Sequence, residues 1–120
     1  MNPFPKDYEL VELFESEPKI FDEEVPWYYN NLFFSLERND VTLVCLLQPA
    51  YGTLSLHVKV NNSSIYDLSF ENVVGMEIEK YNTKEILKII LNDEDTIKTL
   101  LLETKPNIYL MSTTDKSFRM

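Results

Sequence analysis

From Asn31 to Phe70 the chain repeats a period of two, and this rhythm restricts its fold more than any other feature. Leu32, Phe34 and Leu36 alternate with Phe33, Ser35 and Glu37, the pattern of a strand with one buried face. Val41 to Gln48 is apolar on both sides, with Val44 and Leu46 opposing Leu43, Cys45 and Leu47, which predicts a central strand covered on both faces. In Thr53 to Val60, Leu54, Leu56, Val58 and Val60 face one way, and Ser55, His57 and Lys59 the other. Arg38-Asn39-Asp40, Pro49-Ala50-Tyr51-Gly52 and Asn61 to Ser64 punctuate these runs as turns, and Ile65 to Phe70 returns the chain. Val73 to Glu79 follows, with Gly75 as a candidate bulge.

Asn82-Thr83-Lys84-Glu85 reads either as a capping box opening a helix or as the approach to a strand. The alternation in Thr96 to Glu103 and Asn107 to Thr113, broken by Lys105-Pro106, favours strands throughout this third. Ahead of the strands, Asp7 to Glu15 has helical spacing. Tyr8, Val11 and Phe14 lie on one side with Leu10 and Leu13 nearby, Asp7 is the expected N-cap, and Pro18 ends the helix. Lys19 to Tyr29 contains Pro26 and reads as irregular or edge-strand chain.

Composition agrees with this pattern. Ala50 is the single alanine, there are two glycines, and branched and aromatic residues dominate the apolar set. The expected fold is mainly β in the α+β sense. An antiparallel meander forms a sandwich or open barrel with one short N-terminal helix. With 120 residues and neither linker nor repeat, residues 1–120 read as a single domain.

The formal charge is −9, and it is unevenly spread. Residues 1–40 hold ten acids and three bases, a net of −7, and the rest of the chain holds ten acids and eight bases. A negative field repels nucleic acid and anionic membranes and attracts cationic proteins. No nucleic-acid or membrane partner is therefore expected. The apolar run Val41 to Leu47 is too short to span a bilayer, and no apolar segment follows a basic start at the N-terminus. Asn61-Asn62-Ser63-Ser64 matches a glycosylation acceptor but reads as a turn, and the expected location is cytoplasmic.

Catalytic equipment is sparse. Cys45, the single cysteine, sits in the most apolar strand and reads as a buried, protonated thiol. His57 is the single histidine and reads as a surface residue, and Ser55 is its nearest hydroxyl partner along the strand. One cysteine and one histidine do not supply a zinc site. Neither Asp22-Glu23-Glu24 nor Asp93-Glu94-Asp95 has the alternate ligands and glycine of a calcium loop. With Gly52 and Gly75 alone, the chain has no phosphate loop. The sequence therefore reads as a binding protein, not an enzyme, with no metal or cofactor.

The stretch Asp22 to Tyr29 carries the composition of a protein-binding surface, with acids beside Trp27, Tyr28 and Tyr29. Candidate partner-binding residues are Glu12, Glu15, Glu17, Asp22, Glu23, Glu24, Trp27 and Tyr28, where Trp27 serves equally well as core or as interface. Phe21-Asp22-Glu23-Glu24-Val25 after a short helix, and Leu68-Ser69-Phe70-Glu71-Asn72-Val73 in a later strand, give residues 9–80 a further meaning. This order resembles the β-rich immunity proteins encoded beside bacterial polymorphic toxins, in particular the immunity protein 50 type. The acidic motif of those proteins often reads phenylalanine, histidine, aspartate, small residue, glutamate, and this chain has Phe21, Asp22 and Glu24 but no histidine. The resemblance implies a bacterial antitoxin that blocks a toxin domain by direct contact. A basic toxin would fit the charge of the first third. The alternatives are a small-molecule-binding β-domain and a structural subunit of a larger assembly.

Overall fold

The computed structural model describes residues 1–93 and 96–114. Nine strands form two antiparallel sheets. The first sheet contains β1 (Lys19–Ile20), β2 (Leu32–Arg38), β3 (Val41–Gln48), β4 (Thr53–Val60) and β5 (Ser63–Phe70), in chain order. The second contains β6 (Val73–Tyr81), β7 (Lys84–Asp93), β8 (Thr96–Lys105) and β9 (Tyr109–Thr114), again in order. The expected meander is present, and residues 84–93 and 96–105 are strands. Asparagines hold the left-handed positions at three hairpins: Asn39 at φ 56°, Asn61 and Asn62 at 50° and 65°, and Asn82 at 52°. The register slips between Val73 and Gly75, so the expected bulge is there.

The sheets share one core. Leu32, Phe34 and Leu36, Leu43, Cys45 and Leu47, and Leu54, Leu56 and Val58 meet Met76, Leu87, Ile89, Leu100 and Leu102. Each such side chain contributes about 1.5–3 kcal/mol on burial. Gly75 lets the N-terminal segment lie against β6, because a Cβ there would sit 3.0 Å from Asn2 O and from Pro3 Cδ. Asn2 N donates to Val74 O at 3.0 Å, and Met76 N donates to Pro3 O at 2.8 Å, so this edge of the second sheet is covered.

Helix α1 (Asp7–Phe14) buries Leu10, Leu13 and Phe14, and Phe14 stacks on Phe34 at 4.4 Å between ring centroids. Two expectations about it are corrected. The N-cap is Lys6, whose backbone N–H donates to the Glu9 carboxylate at 2.9 Å, and Asp7 is the first helical residue. Tyr8 is 65% exposed, because the side facing the sheets runs through Leu10, Leu13 and Phe14. The third correction concerns β3. Its inner residues are buried as expected, but the opposite face is open, with Leu46 46% exposed and Val44 half-buried.

Candidate partner-binding surface

The candidate acids of the first third fall into two sets. Glu12 and Glu15 lie at the end of α1, where cations from three distant strands converge. Lys80 Nζ donates to Glu12 Oε1 at 2.6 Å, and Arg38 Nη1 pairs with Glu15 Oε1 at 2.8 Å. Lys105 Nζ lies 2.9 Å from Glu85 and 3.5 Å from Glu15, and Arg38 Nε donates to Thr104 O at 2.9 Å. This charge knot ties α1 to both sheets. The Lys80 hydrogen bond and charge lower the pKa of Glu12, and the Arg38 hydrogen bond lowers that of Glu15 against a desolvation effect that raises it. Lys80 is raised in turn, chiefly by its hydrogen bond to Glu12.

Glu17, Asp22, Glu23 and Glu24 form the second set. All four are exposed, and none pairs with a cation among the described residues. Asp22 to Glu24 sit on a loop built around the buried side chain of Asn30. Asn30 Oδ1 accepts the N–H groups of Phe21 at 3.1 Å and Asp22 at 3.2 Å, and Nδ2 donates to the carbonyls of Asp22 and Val25. Asp22 Oδ1 accepts the Glu24 N–H at 3.0 Å. The loop is thus fixed from below with its carboxylates outward. Phe21, at its start, is 84% exposed. Sequence reasoning missed Asn30 as a hub, because its partners lie five to nine residues upstream.

Trp27 and Tyr28 are both half-buried. Trp27 packs edge-on to Phe34 at 6.2 Å and rests against the core. Tyr28 packs edge-on to Phe4 at 5.5 Å, and its hydroxyl meets the N-terminal amine. The structure therefore brings Asp22, Glu23 and Glu24 together over Asn30, and it directs Glu12 and Glu15 into the knot.

The outward face of the first sheet adjoins this loop. Phe21 and Leu46 line one shallow depression together with Thr53, Ser55 and Ser69. Further across, His57 Nε2 lies 3.2 Å from Ser64 Oγ, and His57 Nδ1 lies 3.8 Å from Asp67 Oδ1. Ser55, the hydroxyl picked out by sequence spacing, instead bonds Ser69 at 3.2 Å. The Ser64–His57–Asp67 order has the chemical types of a nucleophilic triad, but Asp67 is 79% exposed on a flat sheet. A triad requires a buried carboxylate to orient the imidazole, and water competes for this one. Cys45 is buried, and desolvation pushes its thiol up to about 12. Among the described residues, no group of three or more His, Cys, Asp or Glu side chains could hold a metal ion. Glu94 and Asp95 of the acidic turn lie outside the described residues. An apolar cleft of about 470 Å³ opens between β5 and β9, lined by Val58, Ile65, Tyr66, Leu100, Leu110 and Met111 among others. No helix among the described residues is long and apolar enough to cross a membrane.

No protein-family model matches the chain, and no curated protein matches it. A solved structure does. The chain superposes with a TM-score of 0.79, at 18% identity, on a component of a contact-dependent growth inhibition toxin–immunity protein complex from Klebsiella pneumoniae 342. The match covers 92% of this chain and 95% of that one, so the likeness takes in almost the whole of both folds. The β-rich fold with its short helix, expected from the alternation of the sequence, is thus like that of a component of a toxin–immunity complex.

Proposed function

We propose that the chain is an immunity-type binding protein of the bacterial cytoplasm that neutralises a toxin domain by direct contact, without catalysis. Its contact set comprises the free carboxylates Glu17, Asp22, Glu23 and Glu24, with Trp27 and Tyr28 on the same N-terminal stretch. The partner is a toxin domain with a basic surface. The observation that carries this reading is the rigid, unneutralised acidic loop over Asn30 on a fold like that of a toxin–immunity component. Preorganised carboxylates lose little freedom on binding and can pair with cations that otherwise hold phosphate. Glu12 and Glu15 act from within, by fixing α1.

The test is the triple reversal Asp22→Lys, Glu23→Lys, Glu24→Lys, with binding to the toxin domain encoded beside the gene measured by calorimetry at two salt concentrations. The expected result is loss of binding in the variant and weaker parent binding at higher salt. Unchanged affinity in both comparisons would overturn the reading. The cleft between β5 and β9 favours a second reading, an apolar small-molecule site. A ligand screen by thermal shift tests it, and Leu110→Trp should abolish any stabilisation found.

A further inference from the structure

The outward face of the first sheet has an apolar centre that the fold leaves uncovered. Register places its side chains in rows: Lys19, Phe33, Leu46, Ser55 and Ser69 form one, and Ser35, Val44, His57 and Asp67 the next. Phe33, Leu46 and Val44 are thus contiguous, with hydroxyls on either side. Phe21 stands beside Leu46, its backbone N–H held by Asn31 O at 3.2 Å and by Asn30 Oδ1 at 3.1 Å. An aromatic side chain that is 84% exposed on a fixed backbone gains nothing from the fold and is preorganised for burial elsewhere. The sequence of β3, apolar on both sides, calls for a cover that the chain itself does not provide among the described residues.

We infer that this face is the body of the contact surface, with Phe21 as its anchor, and that it fits a protein whose apolar hollow is ringed by Lys and Arg. The inference rests on the proposed function and adds to it the apolar part of the interface. Charge selects the occupant. Asp22, Glu23, Glu24, Glu37, Asp67 and Glu71 surround the apolar rows against Lys19 and Lys59, and Lys19 already lies over the Phe33 ring at 5.9 Å. A second copy of the chain would set acid against acid here. The outward face of the second sheet also carries apolar residues, but its charges are closer to balance: Glu77, Glu79 and Glu103 share it with Lys84 and Lys88, and Lys84 lies 4.0 Å from Glu103. It has no comparable excess to attract a basic partner. The arrangement on the first sheet is that of an interface, an apolar centre within a polar rim.

The experiment measures affinity for the neighbouring toxin domain in four full-length variants: Phe21→Ala, Leu46→Ser, Tyr81→Ser on the second sheet, and the triple reversal of Asp22, Glu23 and Glu24. Phe21→Ala should weaken binding by about thirty-fold or more and Leu46→Ser by about ten-fold. Tyr81→Ser should stay within about two-fold of the parent. All three positions are at least 46% exposed, and matching thermal melts establish that the fold is retained. If Phe21→Ala and Leu46→Ser bind like the parent while the triple reversal does not, the apolar inference falls and the proposed function stands. If the triple reversal also binds like the parent, or the parent forms no complex, both fall. Sedimentation of the parent should give a monomer, and a dimer dispersed by Leu46→Lys would overturn the choice of occupant.

Discussion

Glu15 and Glu17 are two residues apart, yet one is spent inside the fold and the other is offered to solvent. Glu15 belongs to a knot in which Glu12, Glu15 and Glu85 meet Arg38, Lys80 and Lys105, three charges of each sign. Glu17 and the loop acids meet no cation among the described residues. The difference teaches that a run of acids in sequence is not a patch of acids in space. The cations that meet Glu12 and Glu15 lie far along the chain, at Arg38, Lys80 and Lys105, and are brought in by strand ends. What remains uncompensated is less than the charge count suggests, and three of its members, Asp22, Glu23 and Glu24, stand together over Asn30.

The contrast can be broken in order of expected effect. Reversing Asp22, Glu23 and Glu24 should cost about a hundred-fold or more in affinity, since like charges then face each other across an interface. Stability should change by less than about 0.5 kcal/mol, because these side chains are exposed. Paired calorimetry and urea melts check both numbers. Asn30→Ala should do the reverse first and the same second. It leaves buried N–H and C=O groups unpaired, lowers stability by about 2–3 kcal/mol, and frees the loop so that binding weakens too.

Glu15→Gln should be milder. Its pair with Arg38 is partly open to water, so a loss of up to about 1 kcal/mol is expected in urea melts, with affinity unchanged. The smallest effect lies in the acid limb. The folded pKa values of Glu12 and Glu15 sit below the ordinary 4.5, so their contribution is present above that value and is lost as pH falls through the folded values. Melts between neutral pH and pH 3 should show the gap between parent and Glu15→Gln closing on the acid side. A gap that widened there would mean that the knot does not act through these carboxylates.

Much of the fold was legible because strand signals are local. Thr53–Val60 appears over the residues its alternation marks, and the turn asparagines sit where left-handed backbone is needed. The helix was legible in extent, but its cap and buried side were not: Lys6, not Asp7, flanks it, and Tyr8 points away. Helical spacing offers several possible faces, and the sheets choose among them. For β3, an apolar strand was read as doubly covered, whereas burial on its second face depends on something other than the strand. At the candidate surface, the exposure of Asp22 to Glu24 was legible, and the ion pairing of Glu12 and Glu15 was not. Ion pairs that join Glu15 to Arg38 and, across 68 residues, Glu12 to Lys80 leave no trace in a local pattern. The Ser64–His57 contact was missed for the same reason, since Ser64 returns on the neighbouring strand while spacing pointed to Ser55.

Asn30 grips the acidic loop through main-chain atoms alone: the N–H groups of residues 21 and 22 and the carbonyls of residues 22 and 25. Main-chain atoms are common to every amino acid except for proline's missing N–H. The loop's shape is therefore largely indifferent to which side chains it displays at positions 21, 23 and 24. A gene lineage facing a changed adversary could rewrite those letters and keep the same scaffold, so divergence should run fastest on the loop while position 30 stays fixed. Under the proposed function, a new toxin would then be met by exchange of a few surface residues, with folding left intact.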